Sequence, residues 1–231
     1  VPTTVLDTAN AEVDRLFEAD PPPEGHFGFH TYDPEPVPPH PLTAPLLETP
    51  AITLAEELTA PHRLVPWDLV QVATNIPPNS WTPGGPHVDG IQPKGTAVPN
   101  TFSLLAGVFL TDQSARDSGN LWIWPGSHLT AGRWFAEHQD GADSFQGLAD
   151  IDRTYPPVEL GEPVQATGPT GSLLLAHHLL GHNIGNNDAP DVRRCLYYRL
   201  ATTRHRETWR THVTDPLADF APTRRTEGSS I

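Results

Sequence analysis

The chain of 231 residues has one cysteine, Cys195. It can form no intrachain disulfide and offers no cysteine-built zinc site. Charge is sparse as well. Asp, Glu, Lys and Arg make up 18% of the chain, below the average of about 25%, which argues against charge-driven disorder. Positive charge is the scarcest: 14 bases stand against 28 acids, a formal charge of −14. Non-specific nucleic-acid binding draws its affinity from cations on phosphates, so nucleic acid is not an expected partner. Anionic membranes are disfavoured for the same reason. No apolar run approaches the roughly 20 residues of a membrane span. The opening VPTTVLDTANAEVDRL has neither a basic n-region nor an apolar h-region, so a cytoplasmic location is expected. Lys94 is the only lysine, the other 13 bases being arginine, a bias associated with GC-rich bacterial genomes.

Proline, in contrast, is abundant, with 27 residues. That number forbids long uninterrupted helices and excludes a helical bundle. Apolar residues at 37% still suffice for a core. Asp7 to Ala19 reads as a helix, capped by Asp7 or Thr8. Residues 20–50 are proline-rich and read as a loop that wraps the surface or covers a cleft. Its His26, Phe27, Phe29, His30 and Tyr32 suit a lid. A short helix over 54–60 ends at Pro61. Beyond it come short strands at 64–74, 101–110, 120–124, 164–166, 172–176 and 195–201, separated by Gly/Pro turns. Residues 130–155 read as helical or irregular, and the Arg-rich end from about 204 as a fraying tail. This order predicts a mainly β fold, a two-sheet jelly roll (double-stranded β-helix, cupin-like) with N-terminal helices packed on one sheet. One domain of 1–231 is expected: a cap over 1–60, a core over 61–203 and a tail over 204–231. A monomer or homodimer is expected.

Twelve histidines direct attention to metal chemistry. Non-haem Fe(II) oxygenases use two His and one carboxylate, leaving positions open on the metal. A His-x-Asp step on an extended segment sends both side chains to one side. Composition alone predicts about 0.8 such steps, and the chain has two: His87-Val-Asp89 and His138-Gln-Asp140. His87 sits in TPGGPHVDG, a loop that follows a strand. His138 sits at the exposed end of a helix, and His205-Arg-Glu207 lies among positive neighbours. A second histidine must come from a distant strand, and His177, His178 and His182 all follow strand 172–176. Arg193 and Arg194 then stand at the mouth of strand 195–201. Either can hold a carboxylate through paired hydrogen bonds, but adjacent strand residues face opposite ways, so only one points inward. Gln71, on the strand before the motif, is a candidate polar contact, with Asn75 a weaker one. Trp124-Pro125-Gly126-Ser127-His128 reads as a structural turn. Trp122 and Trp124 read as core, and Lys94 as solvated.

HVD, NLWIWPGSH and GHNIGNNDAPDVRR, in that order, resemble the phytanoyl-CoA dioxygenase-like (PhyH) branch of the Fe(II)/2-oxoglutarate dioxygenases. The resemblance covers about residues 64–201. It implies Fe(II) on His87, Asp89 and His182, and a 2-oxoglutarate carboxylate on Arg193 with Gln71 beside it. The spacing of the distal histidine to Asn186 and Arg193 selects His182 over its neighbours and Arg193 over Arg194. The implied reaction consumes O2 and 2-oxoglutarate and oxidises an unactivated C–H of a small metabolite or natural-product intermediate. Asp89 fills the position that related halogenases leave open for halide, which implies hydroxylation, desaturation or ring formation. A non-oxidative cupin-like protein or isomerase, with Zn or Mn on the His177/His178/His182 cluster, is the competing expectation.

Overall fold

The computed structural model describes residues 1–80, 84–89, 101–138 and 155–220. Lys94 and Asp140 lie outside them. Helix α1, Thr3–Ala19, turns Leu6, Ala9 and Val13 inward at helical spacing. It begins four residues before the expected Asp7. The carbonyl of Pro2 accepts the amides of Val5 and Leu6, and Pro2 itself, at φ −62°, has no N–H to leave unsatisfied. Asp7 and Thr8 are therefore exposed interior positions rather than caps.

Strands β1 (Gly28–Tyr32), β2 (Leu64–Ile76) and β3 (Leu104–Phe109) join β6 (Leu173–His177) and β8 (Arg193–Thr202) in a five-stranded sheet, order β1-β2-β8-β3-β6. Strands β4 (Leu121–Ile123), β5 (Val164–Gln165) and β7 (His182–Ile184) form a second sheet, order β5-β4-β7. All pairings between these strands are antiparallel, and the two sheets with helices outside make the expected jelly roll. β1 is the one strand within the proline-rich 20–50 stretch. It is an edge strand free of proline, the setting that its flanking prolines permit.

The large sheet is buried on both faces, which explains the near-continuous apolar run of β3. Its outer face packs Val72, Val108, Leu196, Tyr198 and Leu200 against α1, α2 (Ala44–Leu47) and α3 (Ala51–Thr59). Its inner face carries Ala73, Leu105, Phe109, Cys195 and Tyr197. Burying each large aliphatic or aromatic side chain contributes roughly 1.5–3 kcal/mol. The period of two along β8 thus sends 193, 195, 197 and 199 to the interior and 194, 196, 198 and 200 to the helices.

Helix α4, Ser127–Glu137, follows the Pro-Gly turn, where Gly126 holds φ +78°. The expected fraying tail is instead a helix, α5, His205–Thr214, with His205, Trp209, His212 and Val213 buried. The arginines that suggest solvent occupy its outer face, while the buried set repeats at helical spacing and docks on the core.

Candidate active site

His87 is placed by a bridge to the end of β7. Its amide donates to the His182 carbonyl at 3.0 Å, and the His182 amide returns the bond at 3.2 Å. The pair holds the two rings 4.3 Å apart, centroid to centroid. Asp89, two residues on, turns to the same side as His87. Its Oδ1 lies 3.7 Å from Nε2 of each histidine. One ion with bonds of about 2.1 Å spans such separations, since two of its ligand atoms lie at most about 4.2 Å apart. His182 Nδ1 is 2.9 Å from the Leu180 carbonyl, so Nδ1 carries the proton and Nε2 keeps its lone pair for a metal.

Electrostatics keep this group ready for a cation. Burial opposes ionisation of Asp89, but His182 and Arg199 outweigh it and hold the carboxyl well below its usual range. Burial, aided by His182, lowers His87 to about 4, so its ring is neutral at pH 7. Burial opposes charge on His182 too, but Asp89 raises its pKa.

The group opens into a cavity of about 330 Å³ that Arg193, Gln71, Tyr197, Gly119 and Phe29 also line. Gln71 faces Tyr197 across the β2–β8 pair. Arg193 is 5% exposed, and its bonds go to neutral partners: Nε donates to Gln113 Oε1 at 2.9 Å and Nη2 to the Tyr197 hydroxyl at 2.7 Å. Among the described residues it forms no ion pair, which leaves a buried cation without a counter-charge. Arg194 turns outward to Asp14 of α1 at 2.8 Å. Gly119 makes room for Arg193. It sits at φ +78°, and a Cβ there would come within 2.7 Å of the Arg193 Cβ. Gly119→Ala is expected to cost about 2–4 kcal/mol, from backbone strain and the clash together, and to weaken ligand binding at Arg193. Thermal melting and 2-oxoglutarate titration check both.

The other candidates fall outside the cavity. Asn75 is buried, with its amide bonded to the Gly185 carbonyl and to Asn79. His177 Nε2 faces the Pro216 carbonyl and its Nδ1 accepts the Leu179 amide. His178 packs against Phe102. His138 is exposed and stacks on Trp134. Ser127 is structural: its Oγ accepts the Gly181 amide and its carbonyl the Tyr155 hydroxyl. Of the expected lid, Phe29 reaches the cavity, while His30 and Tyr32 pack edge-to-face on each other.

Among the described residues one further His/Asp group, His205, His212 and Asp219, lies close enough together to hold a metal. Hydrogen bonds already engage it throughout. Thr101 meets His205 Nε2, His205 Nδ1 meets His212 Nδ1, and His212 Nε2 meets Asp219 Oδ1. Ser103 and Thr202 donate to Asp219 Oδ2. This network ties α5 and the segment after it to the residues just before β3 and to β8.

Sequence reasoning missed Gln113, Tyr197 and Arg199. The last two lie on the inward period of β8 with Arg193, a signal that was there to use. Gln113 sits in a polar turn that nothing in the sequence aims at the cavity.

A jelly roll that encloses a His/Asp/His group beside a buried arginine is the arrangement expected of an Fe(II)- and 2-oxoglutarate-dependent oxygenase. The profile of the family "Phytanoyl-CoA dioxygenase (PhyH)" matches residues 53–195, more than half of the chain, and the chain belongs to that family. No curated protein sequence matches it. Among solved structures it is similar to the non-heme alpha-ketoglutarate-dependent carbocyclase SnoK of nogalamycin biosynthesis (17% identity, 86% of this chain and 76% of that one, TM-score 0.58). It is also similar to the epimerase SnoN of the same biosynthesis (18%, 87% and 74%, 0.57). A third is HygX from Streptomyces hygroscopicus with nickel and 2-oxoglutarate bound (13%, 88% and 80%, 0.54). At these identities the likeness is one of fold. Among the described residues no helix is long and apolar enough to cross a membrane.

Proposed function

We propose that His87, Asp89 and His182 hold Fe(II), that Arg193 and Gln71 receive 2-oxoglutarate, and that the enzyme oxidises an unactivated C–H of a small metabolite or natural-product intermediate. The observation that carries this reading is the buried Arg193, paired with no acid among the described residues, in the same cavity as the three candidate ligands. A cupin-like metal protein on the His177/His178/His182 cluster has no use for such a cation, and His177 has both ring nitrogens engaged elsewhere.

Bound Fe(II) with 2-oxoglutarate and O2 supplies the oxidant, with succinate and CO2 as co-products. The chain's own residues do the rest. The two imidazoles present their Nε2 atoms, that of His87 neutral at pH 7, and Asp89 adds one negative charge. The Arg193 guanidinium, fixed by Gln113 and Tyr197, meets the far carboxylate without having to reorganise. Gln71 stands across from Tyr197 as a neutral polar contact. Leu105, Leu121 and Ile184 make part of the cavity wall apolar.

The carboxylate of Asp89 leaves no halide position, which favours hydroxylation, desaturation or cyclisation. Solved structures of similar fold include enzymes as different as a carbocyclase and an epimerase. HygX has been solved with hygromycin B, a small natural product, and that supports the substrate class. A cavity of about 330 Å³ is at the small end of ligand pockets. Phe29, half exposed on edge strand β1, stands beside it as an apolar contact for substrate. The test is succinate formation from 2-oxoglutarate by the Fe(II)-loaded enzyme over a panel of small natural products. Substrate-stimulated succinate that disappears in Asp89→Ala is expected. Equal succinate from Asp89→Ala and wild type would end the reading.

A further inference from the structure

The shortest side-chain contact of Asp89 is with Arg199. Nη2 of Arg199 donates to Oδ2 at 2.7 Å, whereas Oδ1 stands 3.7 Å from both histidines. Among the described residues Oδ2 has no other donor. Arg199 lies on the inward period of β8, six residues after Arg193, with its side chain 12% exposed. Its guanidinium carbon is 5.9 Å from the ring centres of Trp67 and of Phe102, two faces that limit where it can move. It is not among the residues that line the cavity.

We propose that Arg199 is a positioning residue that allows Asp89 to offer the metal one oxygen only. The inference rests on the metal reading of the site given above. A carboxylate can hold a cation through one oxygen or through both. Two histidines and one carboxylate oxygen leave three positions of an octahedral ion open. 2-Oxoglutarate chelates through two of them, and O2 needs the third. A second oxygen from Asp89 would take one of these. Arg199 prevents that by occupying Oδ2 and aiming Oδ1 at the space between the two Nε2 atoms. Its positive charge also offsets that of the carboxylate, so the loaded site stays attractive to a dianion.

Co(II), a redox-stable stand-in, tests this without turnover. Wild type, Arg199→Gln, Arg199→Lys and His182→Ala are titrated with Co(II) and then 2-oxoglutarate, recording the visible Co(II) absorption and the heat of binding. Arg199→Gln is expected to bind Co(II) with an altered visible spectrum, and to bind 2-oxoglutarate at least about 10-fold more weakly, the lower end of the usual effect of losing an outer partner of a ligand. Arg199→Lys, which keeps one donor for Oδ2, is expected to recover most of both. Arg199→Gln with the wild-type spectrum and wild-type 2-oxoglutarate affinity overturns the proposal. So does an Arg199→Lys as impaired as Arg199→Gln, because packing would then be the role of the side chain. A crystal structure of the Co(II)-loaded wild type decides the matter even if the variants do not fold. Oδ1 on the metal with Oδ2 on Arg199 is the expected arrangement, and chelation through both oxygens refutes it. The metal reading fails separately: wild type would bind no Co(II), or His182→Ala would bind it equally well.

Discussion

Lowering the pH from 7 to 5 is expected to remove about 4 kcal/mol or more of folding stability in the metal-free protein. Besides His87, lowered to about 4, three histidines outside the candidate metal group carry this. Burial, with His128 adding to it, lowers His177 to about 3. Burial, with His177 adding to it, puts His178 well below its ordinary value. Burial, with His212 adding to it, lowers His205 to about 4. Each ring therefore stays neutral in the fold below the pH at which it protonates in the unfolded chain, about 6.5. Between about 6.5 and 4 the unfolded state binds more protons, so acid favours it. Stability is full above about pH 6.5 and declines as the pH falls toward the folded values. At pH 5 His177 and His205 each cost nearly 2 kcal/mol by linkage, and His178 acts in the same direction, so together they take a large part of a total stability of about 5–15 kcal/mol. Asp219, held below its usual range because His212, Ser103 and Thr202 outweigh its burial, remains charged at pH 5 and does not relieve the strain. Urea midpoints measured from pH 7.5 to 5 check this. A steep fall below about 6.5 is expected, and a flat profile contradicts it.

Replacing Arg193 by leucine is expected to separate stability from function. The affinity of the metal-loaded protein for 2-oxoglutarate should fall by roughly 10²–10³-fold, the loss of a paired, charge-assisted anchor in a buried setting. Stability should change little, because losing a buried cation that pairs with no acid among the described residues is offset by the unpaired Gln113 and Tyr197 groups left behind. Metal binding should be unchanged, since Arg193 touches none of the three ligands. Lysine should rescue only part of the affinity, as a point charge lacks the fork. Calorimetric titration with 2-oxoglutarate and thermal melting read the two effects. An affinity within about three-fold of wild type would remove Arg193 from the anchor role.

How far the chain could be read in advance follows from how local each signal is. His87 and Asp89 are two residues apart on an extended segment, so their common side was legible. That His182 joins them depends on a backbone bridge between residues far apart in the chain, which spacing to Asn186 and Arg193 indicated only through family resemblance. The choice between Arg193 and Arg194 was left to that spacing as well. In the structure the period of β8 puts the first against the cavity and the second against Asp14. The jelly roll and its outer helices were legible from strand lengths and turns. The helix α5 was not, because Arg206, Glu207 and Arg210 make the stretch read as polar and solvated. Its buried side is built from His205, Trp209, His212 and Val213, and histidine is not counted as core. The link from Arg199 to Asp89 was invisible for a related reason: each residue is polar, and only the tertiary fold brings them to 2.7 Å.

The central claim is that one cavity holds both Fe(II) and 2-oxoglutarate. Anaerobic titration of the metal-free protein with Fe(II), then with 2-oxoglutarate, tests it without knowledge of the substrate. The account predicts a visible iron-to-keto-acid charge-transfer band that saturates at one equivalent, is absent in His182→Ala, and requires far more 2-oxoglutarate in Arg193→Leu. Folded protein that binds Fe(II) yet develops no band with 2-oxoglutarate, or that binds no Fe(II), would contradict it.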